Sequence, residues 1–466
     1  MTSTIARHEF RAYLRDGRFR WMAALVLGLL GLAAATGWAH RAQLVRERGA
    51  IAASEQQRWL GQGDKWAHSA AHYGYYAFKP LNPLASLDQG IEPYVGVGVW
   101  LEAHNQNDFV HRPAEDATAL QRFGELTAAL VLQLLLPLCL VLLAFGAFTT
   151  ERESGTLRQL LASGVPPGAL ARGKALGTVA AFGLILGPAA LLGAAALAWS
   201  GTGAAGEPLA RFALLAAVYL LYLGAFLALT LAVSARAPSS RFALVTLLAF
   251  WGVNGLLAPR AAAEFAARLH PAPLTQDFKQ KLKAELGDPH DYAELQKKRQ
   301  ALLDRYGVKE EKDLPVNWAG LSLQMGEERA NGIYDRRFGA LFDTYRAQNR
   351  AATLAGLIAP LVAAQRASLA LAGTDFEHHH HFLAAAEQQR RHIQRVLNDD
   401  LAKKPDINGE RQMSGRDLYV QVAHFHYAEP GVVFAWRHAW PALALLAGWF
   451  VFSASWAARA TAKLTA

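Results

Sequence analysis

Three groupings in this 466-residue sequence have residue types and spacing that could support chemistry. The first is Asp375 with the run His378 to His381. Asp375, His378 and His381 recur every three residues, so on a helix they would share one face and could supply ligands for zinc or copper. Helical histidines beside Phe382 also pack, cap a helix end or bond a nearby carboxylate, and that structural role is the favoured reading. The second grouping, Gly168-Ala-Leu-Ala-Arg-Gly173-Lys174, satisfies the GxxxxGK pattern of a phosphate-binding loop. Ala175 stands where Ser or Thr should meet magnesium, Pro166 and Pro167 precede it without a strand, and an apolar stretch follows, so no nucleotide site is assigned. The third, Glu387 with Arg390, fits a helix-surface ion pair of small value. His72, His104, His392, His424 and His426 lie in the polar segments. No nucleophile, base and orienting group stand together, so no catalytic residue is assigned and the chain is not read as an enzyme. Cys139 is the single cysteine, which excludes an internal disulfide and any CxxC site.

These residues must be positioned by a largely apolar chain. Hydrophobic residues make up 52% and charged residues 18%, a balance that favours a membrane protein. The net charge is +9, without a basic run of the kind that tracks phosphates, so nucleic acid is not expected as a partner. A helix crosses a bilayer core with roughly 20 apolar residues. Six stretches qualify: 21–39, 128–148, 175–199, 212–235, 242–259 and 440–458. None contains Asp, Glu, Lys, Arg or His. The first lacks a small-x-small site after Trp38 and reads as a retained anchor. Proton-coupled carriers need buried ionisable relays, so a proton-driven transporter is disfavoured.

Lys and Arg near span ends stay in the cytosol. Residues 1–20, 149–174, 236–241 and 459–466 together hold 13 basic and 4 acidic residues, while 261–433 balances 23 against 23. Both termini are therefore expected in the cytosol, with 40–127 and 260–433 outside. Residues 351–373 are apolar but contain Pro360, Gln365 and Arg366. They read as a helix pair within the external domain or on the membrane surface, because mid-bilayer Arg costs at least about 2.5 kcal/mol.

Residues 1–20 place Arg7, Arg11, Arg15 and Arg18 on one side of a helix and Phe10, Tyr13 and Leu14 on another, a pattern that suits the lipid interface and equally an ordinary basic flank with no further role. Segment 40–127 begins helical (Arg41 to Trp59), then crowds His72, Tyr73, Tyr75, Tyr76 and Phe78 into an expected belt or packed lid. Residues 82–99 read as loop and a short extended piece. Block 261–433 reads as mainly helical, with breaks at Gly287-Asp288-Pro289, Lys404-Pro405-Asp406 and Asn408-Gly409. The fold expected is an all-α integral membrane protein, six spans with a large, mainly helical external domain between spans 5 and 6 and a smaller one between spans 1 and 2.

Segment 149–174 contains Glu151-Arg-Glu-Ser-Gly-Thr-Leu-Arg158, followed by Gln-Leu-Leu, and ends in Val165-Pro-Pro. Thr156, Leu157, Leu160 and Leu161 form an apolar edge on a short helix, a form suited to docking in a partner's groove. The pattern resembles the coupling-helix region of permease subunits of type-2 ABC exporters, whose E-x-E-x-G-T-L core falls on Glu151, Glu153, Gly155, Thr156 and Leu157. The resemblance implies an elbow helix at residues 4–18 and a coupling element at 151–163. A second resemblance, to a subgroup with a large periplasmic domain akin to the nitrous-oxide-reductase maturation permease, rests on Gly373, Thr374, Asp375, His378, His379, Phe382, Glu387, Arg390 and Asn398. Gln389 departs from it, where an aromatic is usual.

Together these resemblances imply an inner-membrane exporter subunit that pairs with a second permease and two copies of an ABC ATPase. ATP and Mg would be held by that ATPase, leaving no cofactor in this chain, and membrane lipid and a periplasmic protein are further expected partners. Two alternatives stand beside export: mechanical transmission to a periplasmic partner without solute transport, and a membrane-anchored metal-binding sensor or enzyme.

Overall fold

A computed structural model of the chain describes residues 1–110, 112–116, 126–199, 206–287, 290–405 and 410–464. Among the described residues, six helical segments are long and apolar enough to cross a membrane: Gly17–Leu60, Ala128–Glu153, Pro167–Trp199, Gly206–Arg236, Ser240–Leu269 and Val432–Ala462. They are spans 1 to 6 of a multi-pass membrane protein. Each contains the corresponding apolar stretch. Span 1 does not stop at a bilayer edge. At 1.5 Å per residue its 44 residues run about 66 Å, so its second half carries Trp59 into the core of the domain beyond the bundle.

Spans 2 and 5 are interrupted by single π turns, Val131–Leu135 and Val253–Leu257. In each case a proline follows, Pro137 and Pro259, and proline can supply no N–H to the helix ladder. Gln133 would ordinarily pass its carbonyl to residue 137; instead that carbonyl accepts from the Tyr222 hydroxyl at 2.9 Å. The π turns also place the polar side chains Gln133 and Asn254 inside the bundle, where Gln133 Nε2 donates to Tyr219 Oη at 3.1 Å and Asn254 Nδ2 reaches Tyr222 Oη at 3.4 Å.

Two expectations need correction. The chain is not wholly α: Tyr75–Phe78 (β1), Gly98–Leu101 (β2) and Phe109–Val110 (β3) form an antiparallel sheet in the order β1-β2-β3, with Tyr75 opposite Leu101. Its inward residues Tyr75, Ala77, Val99 and Leu101 pack with Trp59, Phe382 and Tyr419, so of the crowded aromatics Tyr75 is domain core, while Tyr76 and Phe78 are half-buried and His72 and Tyr73 are exposed. Nor does the helix Pro360–Ala372 stay within the outer domain. It packs against spans 4 and 6, and Leu361, Ala363, Ala364, Ala367 and Leu371 join the bundle's own core. Arg366 is accommodated because its guanidinium reaches Asn349 Oδ1 at 2.7 Å. This plug helix begins inside apolar surroundings. Pro360 brings no N–H, and Leu361 N donates to Asn254 Oδ1 at 3.0 Å.

Between spans 5 and 6, helices Thr275–Leu286, His290–Tyr306 and Trp318–Leu354 precede the plug, and Phe376–Ala402 follows it. Gly287 ends one helix, and Lys404 and Pro405 lie just past another. Asp288, Pro289, Asp406, Asn408 and Gly409, named for turns, lie outside the described residues.

Asn254→Leu removes the acceptor of a buried backbone N–H and should cost about 1–3 kcal/mol of stability. Thermal unfolding of the purified protein in detergent should show a lower midpoint than wild type.

Candidate functional site

The signature residues of 149–163 and 1–20 meet at one end of the bundle. The N-terminal helix Thr2–Arg15 lies along the start of span 3, and two glycines permit the approach. A Cβ at Gly173 would stand 2.5 Å from Ile5 Cβ, and one at Gly177 would stand 2.5 Å from Glu9 Cβ. Between them Lys174 is buried, with Nζ 2.6 Å from Glu9 Oε1 and 2.7 Å from Glu151 Oε1. One ammonium thus ties the N-terminal helix to both span 3 and the last turn of span 2. The GxxxxGK pattern is explained by this junction and by no phosphate loop. Tyr13 and Thr178 add a hydroxyl contact at 3.2 Å. Arg7, Arg11 and Arg15 are exposed on the opposite face; Arg18 does not share that helix, because the chain breaks at Asp16 and Arg18 opens span 1, where it pairs with Asp16 at 2.7 Å.

The connecting segment is fixed from several sides. Glu153 accepts from Ser240 N and Ser240 Oγ, each at 2.7 Å, at the start of span 5. Arg152 donates to Ala235 O and Ala237 O, each at 2.8 Å, placing a cation at the carbonyl end of span 4 where the helix dipole favours it. Gly155 takes φ +76°, then Thr156–Ala162 forms the connecting helix. Leu157 is fully buried, and Leu160 and Leu161 are half-buried on the same core. The apolar edge therefore packs on the chain's own bundle, Leu157 completely and Leu160 and Leu161 in part. What faces outward is polar: Thr156, Arg158, Gln159 and Ser163.

The second signature surrounds the helix Phe376–Ala402. Gly373, at φ +75°, ends the plug helix, and Thr374 O accepts from Ile91 N at 3.1 Å. Asp375 caps the next helix through His378 N at 3.1 Å and also bonds His378 Nδ1 at 2.5 Å. Burial alone would raise the Asp375 carboxyl, but the bonds and charge of His378 outweigh it and hold the carboxyl below the usual range. His379 is buried, and burial, with Lys79 and His380 adding to it, pushes its imidazole down to about 3. Phe382 is wholly buried against Phe425 and Tyr427, at ring separations of 5.7 and 5.0 Å. Gln389 Nε2 donates to Tyr75 Oη at 2.9 Å, a polar tie where an aromatic was usual.

Glu387 and Arg390 correct the expectation of a weak surface pair. Arg390 is 1% exposed. Its Nε bonds Glu387 Oε2 at 2.7 Å, Nη1 bonds Ala103 O at 2.6 Å, and Nη2 serves both Glu387 Oε1 and Asn331 Oδ1. Asn398 Nδ2 donates to Glu327 Oε2 at 2.5 Å and Gln324 Oε1 at 3.0 Å. These residues join the segment after span 1 to the domain before span 6.

Asp375, His378 and His381 do not converge as ligands. His378 Nε2 faces the buried Arg211 guanidinium at 3.3 Å, and His381 Nδ1 bonds Tyr427 Oη at 3.0 Å. Sequence reasoning also passed over Asp88, because it lies outside every apolar stretch. Its Oδ2 accepts from Ser368 Oγ at 2.5 Å, and Ser368 contacts Tyr219 Oη at 2.9 Å, so a carboxyl group joins the bundle's polar network from a loop.

Residues 275–428 match the model of a domain of unknown function, DUF3526. The match takes in the second signature and leaves out the spans. A comparison with curated proteins finds no match for the chain.

Two outcomes follow. Arg390→Ala strands Glu387 and Asn331 and should destabilise the domain by about 3–5 kcal/mol, read as earlier protease cleavage on heating. His379 has a folded value below its unfolded one, so its contribution is fully present above about pH 6.5 and is lost as pH falls towards 3. From pH 7 to 5.5 the loss should be about 1 kcal/mol, and His379→Gln should flatten that part of the stability curve.

Proposed function

We propose that this chain is the permease subunit of a type-2 ABC transporter in a bacterial inner membrane, with both termini cytosolic and the large domain periplasmic. The observation that carries the reading is the Glu9–Lys174–Glu151 junction. It couples the helix with the elbow's position and pattern to the segment that resembles a coupling element. A separate ATPase, present in two copies and holding ATP and Mg, would press on the polar face at Thr156 and Arg158. Leu157, buried in the bundle, and Glu153, bonded to span 5, would pass that displacement into the spans. The active unit would contain two permeases, identical or homologous. Export is favoured by the resemblance.

Mechanical transmission is a second reading, supported by the plug helix. Because Pro360–Ala372 is packed into the bundle and leads directly into Phe376–Ala402, a tilt of spans 4 and 6 would move the outer domain without any solute crossing.

The test is isolation of the chain from native membranes with its partners. Recovery of an ABC ATPase is expected. In that complex, Glu153→Ala combined with Gly155→Leu should leave assembly intact and abolish the permease's effect on ATP hydrolysis. Absence of any ATPase from an intact membrane complex, or an unchanged ATPase response in the double variant, would reject the coupling role.

A further inference from the structure

Outside the junction and the motif helix, His68, His72 and His104 come together on the outer domain, and one ring nitrogen from each lies within 4.8 Å of those of the others. We propose that this trio is a binding site for a divalent transition-metal ion, with zinc the ion its chemistry fits. His68 lies in the short helix Ala67–Ala71 and His72 directly follows it, four residues on. His104 comes from the loop after β2, so the site closes only when the sheet is formed.

The donor set is apt in kind and in spacing. Three neutral imidazoles with a fourth position open form a common zinc arrangement. Ligand nitrogens about 2.0–2.1 Å from a tetrahedral ion lie about 3.4 Å apart, and His68 Nε2 and His72 Nε2 are separated by 3.3 Å. The three ring centroids are 4.6 to 5.0 Å apart. His104 is oriented as metal-binding histidines are, by a carboxylate on its other nitrogen. Its Nδ1 bonds Glu327 Oε1 at 2.5 Å, while Nε2 is buried with no hydrogen-bond partner. Glu327 is itself held by Asn398, so a signature residue acts as the outermost support of the site. Arg411 lies 4.2 Å over the Trp66 ring, which packs on His68; it is the cation the site must tolerate, and Glu327 supplies the opposing charge. The exposed His72 leaves the fourth position open to water or to a donor from another molecule.

An ion here would pin the short helix Ala67–Ala71 to the loop after β2, and through His104 that unit is bonded to Glu327 on the helix Trp318–Leu354. The full-length protein, purified in detergent with a tag free of histidine, is stripped with a chelator, equilibrated with Zn²⁺ and assayed for bound metal. Wild type should retain one zinc more than His72→Ala and than His72→Ala/His104→Gln, whereas His392→Ala, an exposed histidine elsewhere, should match wild type. His72 is exposed, so its loss leaves the fold intact. Co²⁺ in place of zinc should give the visible band of a tetrahedral site, absent in the His72 variants. Glu327→Gln should keep the stoichiometry and weaken zinc binding about 10- to 100-fold in a chelator competition. Equal zinc in wild type and His72→Ala, or no zinc retained by wild type, would overturn the site. Neither result depends on whether an ATPase partner is found.

Discussion

A helix that begins inside an apolar bundle must find acceptors for its first backbone N–H groups, and in hydrocarbon no water can provide them. The plug helix meets that demand by starting at Pro360, which has no N–H, and by giving the next one to Asn254. Asn254 points inward because span 5 takes a π turn there. The matching π turn in span 2 presents Gln133, whose side chain bonds Tyr219 while its carbonyl takes the Tyr222 hydroxyl. From Tyr219 the bonds run through Ser368 to Asp88. Spans 2, 4 and 5, the plug and the first outer segment are therefore held by one set of polar contacts.

The spans were legible because twenty apolar residues in a row have few other uses. Trp59 was not, since nothing in Arg41 to Trp59 separates a helix ending in water from one that continues span 1 into a second core. The sheet escaped notice because its strands have four, four and two residues, too short for an alternating pattern to stand out. Arg390 and Glu387 gave the spacing of a surface pair; their burial depends on Ala103 and Asn331, which sequence spacing cannot bring near. Lys174 was masked by a misleading motif. His72 and His104 were visible only as separate histidines of the polar segments, and His68 was passed over, because spacing along the chain does not bring residue 104 beside 68 and 72.

Both signatures turn out to be joints. At one end of the bundle Lys174 gathers carboxylates from two segments, and Arg152 and Glu153 reach the neighbouring ends of spans 4 and 5. At the other end Arg211, 1% exposed, bonds Glu207 of its own span and Pro430 O just ahead of span 6, and faces His378. Charges at such places are costly to bury and are kept only where every donor has a partner. Their arrangement favours a bundle that moves in packed units over one that bends continuously.

That stiffness bears on where a solute could pass. Opening a path through the middle of one copy would strip the Asn254–Leu361 and Tyr219–Ser368 bonds and leave buried polar groups unpaired, at about 1–3 kcal/mol for each group. It would also separate Leu361, Ala364 and Leu371 from the bundle core they complete. Leu25 and Leu32 on span 1, Leu176 and Leu184 on span 3 and Phe242 and Val245 on span 5 are instead exposed on the bundle's outside, where lipid or another chain can cover them without breaking an internal bond. On the proposed reading, ATP-driven tilting would therefore act between copies or through the plug upon the outer domain. On that same reading, export and transmission would differ only in what a second copy encloses.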